Sequence, residues 1–253
     1  MNLIVQDIPS NEDLVSAAQK LGIPYSLHKV IPFSDTVQPN IAPQSEGIVF
    51  GGRTLQKVAE AAGVKPGTFN SDCFTYSVML ENLSDLCLNF DANIGQFDSV
   101  SITEDSFIRP DADDKSFVGH IITPENLTAW QKSTELISAD EYSTLYSHSK
   151  VVTAKAREII EEYRVFIIGG KISVYSLYRK YGVYYPSNIV DKNILDFAAQ
   201  IIQTWIPHEC CVLDLALTET GIKVLEFNCL NDSGCYAANL EKLLQDLYEY
   251  LHE

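Results

Sequence analysis

Basic residues are scarce in this chain. It contains 18 Lys and Arg against 34 Asp and Glu, which gives a formal net charge of −16 at pH 7. Sequence-independent binding to nucleic acid depends on a basic surface, so we expect no nucleic-acid partner. The charge does not exclude nucleotides, because a few local Lys and Arg side chains suffice to bind them.

Long apolar runs are absent as well. No uncharged stretch is long enough for a transmembrane helix. The N-terminus, Met-Asn-Leu-Ile-Val-Gln-Asp, lacks the basic region of a signal peptide. We therefore expect no membrane association and a cytoplasmic location, which would be the host cytoplasm if a phage encodes the chain.

Cysteines are present, but no pair has Cys-x-x-Cys spacing. Without a secretory signal, the six residues indicate reduced thiols. Two of them flank the segment considered below, where a buried structural thiol is the favoured role for each. The six are Cys73, Cys87, Cys210, Cys211, Cys229 and Cys235.

The composition is that of an ordinary globular protein. Apolar residues make up 46% and charged residues 21% of the 253 residues. This length matches one large or two modest domains. No repeat or low-complexity linker divides the chain, so we expect its halves to pack together.

The segment 211–236 carries the clearest pattern. Residues 211–217 and 222–228 are apolar-rich and are each about seven residues long, as strands usually are. The turn residues of a hairpin lie between them, and Gly221 can adopt a positive φ. With a three-residue loop at 219–221, we expect Thr218 to pair with Ile222.

The same register places Asp214 opposite Glu226. One face would then hold Asp214, Ala216, Val224, Glu226 and Asn228, and the other would hold Leu213, Leu215, Leu225 and Phe227. A one-residue slip would mix polar and apolar side chains on both faces, which is costly where one face is buried.

Three oxygen-bearing side chains meet on the first face. Glu226 and Asn228 are two residues apart on one strand and point the same way, with Asp214 across from them. Mg²⁺ prefers octahedral oxygen coordination, usually with one or two carboxylates plus phosphate oxygens and water. A nucleotide-bound Mg²⁺ is one interpretation of this face, and the solvated polar face of an ordinary hairpin is the other.

Strands alternate with helices in the first part of the chain. We expect strands over 2–6, 24–31 and 47–51, and helices from Ser10 or Asn11 to Leu21 and over 54–62. This alternation predicts a small parallel α/β unit. The turn Val49-Phe-Gly-Gly-Arg53 could cradle an anion, but it lacks the GxGxxG and Walker patterns, so a tight strand-to-helix turn is favoured.

After a predicted helix over 72–83, the chain becomes rich in strands. The polar segment 133–149 is expected to be a surface loop with a short helix, and leucines at helical spacing over 240–251 predict an amphipathic helix. Further strands are predicted at 106–110, 117–122, 150–153, 159–168 and 171–179, with helices at 124–130 and 192–204.

Four basic residues stand at strand ends, in a loop or within apolar runs. Arg109 ends Phe107-Ile-Arg-Pro110, and Lys115 lies in the loop that follows. Glu162 and Arg164 would share one face of a strand, and Arg179 closes the next strand. A charge at a strand end is more often solvated than functional, but an unpaired charge within a buried apolar run would be costly.

In this order, the set resembles the ATP-grasp superfamily. Its members show a basic-Pro strand end, a phosphate-covering loop, Glu-x-Arg, an Arg one strand on, an Asp and Glu-x-Asn. The chain looks closest to small phage and bacterial members with an Arg-Pro strand end and a Glu-Phe-Asn motif followed by Ser-Gly-x-Tyr. The resemblance covers residues 86–253.

The resemblance implies an α/β (α+β) fold in which antiparallel sheets clasp ATP. It implies a small parallel pre-ATP-grasp domain at 1–88 and an ATP-grasp domain at 89–253. Within the latter it implies a small subdomain over 100–168 and a metal-binding subdomain over 169–253.

The resemblance also implies roles for individual residues. Asp214, Glu226 and Asn228 would hold Mg²⁺ against the ATP phosphates. Arg109 would stand where most members have a phosphate-contacting lysine, and Arg179 would meet the γ-phosphate or the acyl phosphate. The remaining binding residues would be Lys115 and Ser116 in the phosphate-covering loop, Thr153 and Lys155 in the adenine-reading hinge, and Glu162 and Arg164 lining the cleft.

The implied activity joins a small-molecule or peptide carboxylate to an amine or thiol. ATP would phosphorylate the carboxylate, while Arg109, Lys115 and Arg179 offset the developing negative charge. A phosphotransferase on the same fold and a non-catalytic nucleotide-binding protein are the alternatives, and a homodimer stays open.

Two departures from the family pattern affect these expectations. The loop 111–119 has a single glycine where many members have several, which puts its fit over ATP in question. The segment Cys229-Leu-Asn-Asp-Ser-Gly234 replaces the usual Pro-Gly, so Asn231 and Asp232 are candidate contacts to substrate or metal.

Overall fold

The computed structural model describes residues 1–112, 116–137 and 144–252. The first of its three sheets has the order β3-β2-β1-β4-β5, in which all pairs are parallel except β2 with the short edge strand β3. It confirms the predicted parallel α/β unit. Its elements are β1 (Leu3–Gln6), α1 (Glu12–Leu21), β2 (Tyr25–Val30), β3 (Val37–Gln38), β4 (Glu46–Phe50), α2 (Arg53–Ala61) and β5 (Lys65–Gly67).

The glycine turn after β4 packs against the protein. The Gly51 amide donates to the Asn231 carbonyl at 2.8 Å, and the Gly52 amide donates to Gln6 Oε1 at 2.8 Å. A Cβ at Gly51 would lie 2.6 Å from Cβ of Gln6. The glycine thus permits close contact between two strands, as the favoured interpretation of the sequence has it.

The second sheet has four strands in the order β6-β9-β7-β8. Helix α4 runs on to residue 137 into the segment expected to be a loop, and strand β6 was not predicted, because Asn-Ile-Gly-Gln carries little strand signal. Strand β6 is defined by its antiparallel pairing with β9. This part contains α3 (Tyr76–Leu83), β6 (Asn93–Gln96), β7 (Ser106–Pro110), β8 (His120–Ile122), α4 (Pro124–Ile137) and β9 (Lys150–Lys155).

The third sheet has five antiparallel strands in the order β12-β11-β10-β13-β14. Strand β12 was not predicted, and it lies at the edge, where its Pro186 is tolerated. The elements are β10 (Glu161–Ile168), β11 (Lys171–Lys180), β12 (Val183–Ser187), α5 (Lys192–Thr204), β13 (Cys211–Thr218), β14 (Gly221–Cys229) and α6 (Leu240–Tyr250).

The third sheet is buried on both faces. On one face, Val165 and Leu213 join a core with α3 and α5. On the other, Phe166 and Val212 join a core that includes β1, α1 and α6. The N-terminal sheet and the third sheet therefore share apolar contacts, which agrees with the expectation that the halves pack together. The domain boundaries at 88 and 168 stay predictions.

The hairpin β13–β14 confirms one prediction and corrects another. Asp214 lies opposite Glu226, as predicted, but Thr218 pairs with Gly221 instead of Ile222. The difference is absorbed by a bulge, because Leu215 pairs with Val224 and leaves Leu225 without a partner. The face assignments of those two residues were wrong: Val224 lies in the core, and Leu225 lines a cleft.

All six cysteines are free thiols. In the part of the chain that the structure describes, no helix is long and apolar enough to cross a bilayer.

Candidate active site

A cleft of about 490 Å³ lies between the four-stranded and five-stranded sheets. The four-stranded sheet supplies one wall through β7, β8 and β9, and the five-stranded sheet supplies the other through β10, β11 and β14. Five residues singled out from the sequence line this cleft, namely Arg109, Lys155, Glu162, Arg179 and Glu226.

An ion pair links the two walls. Arg109 Nη1 on β7 donates to Glu226 Oε2 on β14 at 2.6 Å, with the side chains 15% and 32% exposed. The Arg109 guanidinium also lies 5.0 Å from the centre of the Tyr76 ring. The fold thus joins a cation of the Arg-Pro strand end to a carboxylate of the Glu-x-Asn motif.

A second charged group lies on β10 and β11. Glu162 accepts a hydrogen bond from the Tyr178 hydroxyl at 2.8 Å and forms an ion pair with Arg179 at 3.2 Å. Burial raises the pKa of Tyr178, and neighbouring carboxylates raise it further, so its hydroxyl remains a donor. Glu162 thereby fixes Arg179, whose side chain is 48% exposed.

Arg164 lies behind the cleft wall, contrary to the expectation that it lines the cleft. Its Nε and Nη2 donate to the two oxygens of Asp214 at 2.8 and 2.7 Å. Asp214 Oδ2 also accepts from Asn228 Nδ2 at 3.1 Å. Burial raises the pKa of the Asp214 carboxyl, and Arg164 opposes this rise.

The two residues expected in the hinge separate in the structure. Thr153 is buried, and its hydroxyl donates to the Asn93 carbonyl at 3.3 Å, whereas Lys155 reaches the cleft. Arg157 also lines the cleft, where it donates to Asn89 Oδ1 at 3.2 Å and to Asp91 at 2.6 Å.

The loop after β7 is only partly described. Lys115 lies outside the described residues, and the Ser116 carbonyl accepts a hydrogen bond from the Thr144 hydroxyl at 2.9 Å. The chain beyond it forms an apolar wall of the cleft with Phe117, Val118 and Ile121.

A family model covers most of this architecture. The model, described as an ATP-grasp domain and as family 3 of its clade, matches residues 80–247. The chain belongs to this ATP-grasp family.

Solved structures of ATP-grasp proteins share the fold across the full chain. D-alanine–D-alanine ligase from Bacillus anthracis is 13% identical, with a TM-score of 0.60 over 99% of this chain and 97% of the other. A RimK domain ATP-grasp protein from Sphaerobacter thermophilus is 12% identical, with a TM-score of 0.60 and full coverage of both chains. The ATP-grasp ligase PsnB, in complex with the precursor peptide PsnA2 and AMPPNP, is 12% identical, with a TM-score of 0.56 over 98% and 96%.

At these identities the structures show the ATP-grasp fold alone. Comparison with curated proteins gives no match.

The side chains at the Glu-x-Asn motif fit the Mg²⁺ that the ATP-grasp resemblance implies. Glu226 offers a carboxylate at the cleft, and Asn228 turns its amide nitrogen to Asp214, which leaves the amide oxygen for a metal. Asp214 is 1% exposed and directs both oxygens to Arg164. Among the described residues, no group of three or more His, Cys, Asp and Glu forms a metal site, so the fit rests on the carboxylate–amide pair.

The two candidates in the segment after Glu-x-Asn take different positions. Asn231 is 1% exposed; it accepts from the Phe69 amide at 2.8 Å and donates to the Val49 carbonyl at 2.6 Å. It therefore ties this segment to the N-terminal unit, and the expectation that it contacts substrate or metal was wrong. Asp232 is exposed, and Cys229 is buried beside Asn231.

Several cleft residues had no motif to identify them. Tyr178 adjoins Arg179 on β11, and Arg157 closes the expected hinge, so proximity in sequence was the available signal for both. Asn89 and Leu225 gave none, because the first depends on how the 88–92 segment packs and the second on the bulge.

Proposed function

We propose that this ATP-grasp protein is an ATP- and Mg²⁺-dependent ligase that joins a carboxylate to an amine through an acyl phosphate. The observation that carries the proposal is the pairing of Arg109 and Glu226 across the cleft, with Arg179 on the same cleft wall as Glu226. Phosphoryl transfer requires cations for the phosphate oxygens and carboxylate or amide ligands for the metal, and this cleft supplies both.

The two ends of the cleft suit different parts of ATP. Arg109 and Arg179 would bind phosphate oxygens and offset the charge that develops during transfer. The apolar wall with Phe117, Val118 and Leu225 suits the base and ribose. We place the base near the 155–159 segment, where Lys155 and Arg157 reach the cleft.

Glu226 and Asn228 would hold the metal, with Asp214 orienting Asn228 from behind. Mg²⁺ bound there would bridge phosphate oxygens and stabilise their charge. When ATP binds, Arg109 would exchange part of its contact with Glu226 for phosphate, which leaves the carboxylate to the metal.

In the proposed reaction, a substrate carboxylate oxygen attacks the γ-phosphorus and ADP leaves. The amine nitrogen then attacks the acyl carbon, phosphate departs, and the nitrogen loses a proton. Little covalent chemistry falls to the protein, so positioning and electrostatic stabilisation carry the rate. The PsnB structure contains a precursor peptide, which supports testing peptides as well as small molecules.

The test compares Glu226→Gln with Glu219→Gln, which removes an exposed carboxylate from the turn of the same hairpin. ATP consumption and product formation are measured with panels of carboxylates, with and without amines. We expect Glu226→Gln to lower turnover by at least about 100-fold without changing the circular dichroism spectrum, and Glu219→Gln to match the wild type.

Each outcome separates the alternatives. An amide product that requires both substrates supports the ligase. A phosphorylated product formed without an amine indicates a phosphotransferase. AMPPNP binding without turnover on any substrate indicates a nucleotide-binding protein, and unchanged turnover in Glu226→Gln contradicts the metal assignment.

A further inference from the structure

A single buried guanidinium connects the candidate metal site to the segment beyond it. Arg164 directs Nε and Nη2 to the carboxylate of Asp214, and its Nη1 donates to the Gly234 carbonyl at 3.0 Å. The Arg164 side chain is 10% exposed and does not line the cleft. It thus joins β10 to β13 and to the loop after β14.

The first arm reaches the metal ligands through Asp214. The same Asp214 oxygen that faces Arg164 Nη2 accepts the amide hydrogen of Asn228. This bond sets which way the Asn228 amide faces, because its nitrogen is turned to the carboxylate and its oxygen away from it. Residues that orient ligands from behind are known to tune metal affinity.

The second arm holds the loop 233–237. The ring of Tyr236 lies 5.1 Å from the Arg164 guanidinium and stacks on Tyr178, with centroids 4.7 Å apart. Tyr236 has a φ of 51°, a left-handed conformation that a residue with a Cβ seldom adopts. Such a conformation persists where surrounding contacts over-determine it, and Arg164 supplies two of them.

We propose that Arg164 is a positioning residue that sets the metal-binding side chain Asn228 and the loop 233–237 from one point. The metal half of this inference rests on the proposed function, and the loop half does not. Only a planar fork can bind both carboxylate oxygens and direct a third donor to Gly234. Lysine is a point charge without this geometry.

The test uses Arg164→Lys, which keeps the positive charge opposite Asp214. Its control is Arg53→Lys, an exposed position at the start of α2. Two properties are measured: amide hydrogen exchange in the ligand-free protein, and Mn²⁺ affinity in the presence of AMPPNP, read by electron paramagnetic resonance.

We expect Arg164→Lys to melt within about 5 °C of the wild type. Its amides at 233–237 should exchange at least about tenfold faster, while β10, β13 and β14 keep their protection. Mn²⁺ affinity should fall about 10- to 100-fold, whereas AMPPNP binding without metal changes less than about twofold. Arg53→Lys should match the wild type in all three measurements.

Unchanged exchange at 233–237, or faster exchange spread evenly over the sheet, overturns the positioning role. Unchanged Mn²⁺ affinity overturns its metal half. If the wild type binds neither AMPPNP nor Mn²⁺, the proposed function is wrong, and exchange in the ligand-free protein still decides the loop half.

A second variant keeps the proposal falsifiable if Arg164→Lys does not fold. Tyr236 is 39% exposed, so Tyr236→Ala is tolerated more easily. It should accelerate exchange at 233–237 by about tenfold, and unchanged exchange there overturns the link between the guanidinium and the loop.

Discussion

At the scale of single residues, the charged groups of the cleft are held by protein partners. Glu162 binds both the Tyr178 hydroxyl and Arg179, and Glu226 binds Arg109. Side chains fixed in this way lose little entropy when a ligand binds. The cleft cations are therefore pre-oriented for phosphate groups before any ligand arrives.

The Tyr178 hydroxyl gives a direct test of this arrangement. Tyr178→Phe removes the donor to Glu162 but keeps the ring that stacks on Tyr236. We expect a loss of about 1–2 kcal/mol in the free energy of unfolding, measured by urea denaturation, and weaker AMPPNP binding because Arg179 is less well fixed.

The matched control is Tyr184→Phe at a 66% exposed position, which should change stability by less than about 0.5 kcal/mol. Equal effects of the two substitutions would contradict the role given to the Tyr178 hydroxyl.

At the scale of elements, the bulge in β14 decides which side chains reach the cleft. With Leu225 unpaired, Val224 enters the core while Leu225 and Glu226 both line the cleft. A bulge inserts one residue without changing the register on either side of it. The strand can therefore keep an apolar residue and a carboxylate adjacent at the same surface.

Deletion of Leu225 tests the role of the bulge. The pairs Asp214–Glu226 and Leu215–Val224 can then form a regular ladder, so we expect the hairpin to keep its register, seen as cross-strand contacts in NMR spectra. AMPPNP should bind at least about threefold more weakly, because an apolar side chain is lost from the cleft wall.

Leu217→Ala serves as a control, because it removes a leucine from the same hairpin outside the cleft lining. A deletion variant with wild-type nucleotide affinity, or one whose register slips, would contradict the role given to the bulge.

At the scale of the whole molecule, the apolar cores hold thiols that are protonated when buried. Burial is the main cause that raises the pKa of Cys87 to about 12 and that of Cys235 to about 11, from an ordinary value of 9.0. The folded state then binds more protons than the unfolded state above pH 9. Stability is fully present below that pH and is lost as the pH rises towards the folded values.

We predict that the free energy of unfolding falls between about pH 9 and 11, with each such thiol contributing about 1.4 kcal/mol per pH unit. Urea denaturation under reducing conditions measures the slope. Cys87→Ala should make the decline shallower by about 1 kcal/mol per pH unit, whatever its effect at pH 7.

Cys73 is exposed, so Cys73→Ala should leave the alkaline profile unchanged. A Cys87→Ala variant with the wild-type slope would show that this thiol does not contribute to alkaline unfolding.

The sequence by itself determined the parallel N-terminal unit, the strands of the third sheet other than β12, and the pairing of Asp214 with Glu226. Each follows from local periodicity, turn residues or the cost of mixing faces. The ordered motifs also identified the ATP-grasp family, and five residues drawn from them line the cleft.

Only the tertiary structure decided how those charges are partnered. The bulge at Leu225, the strand β6 and the position of Arg164 behind the wall all depend on contacts between segments far apart in sequence. Asp214 and Arg164 are fifty residues apart, and no local pattern shows that each neutralises the other. Burial made this pairing necessary, because an unpaired charge at either position would be strongly destabilising.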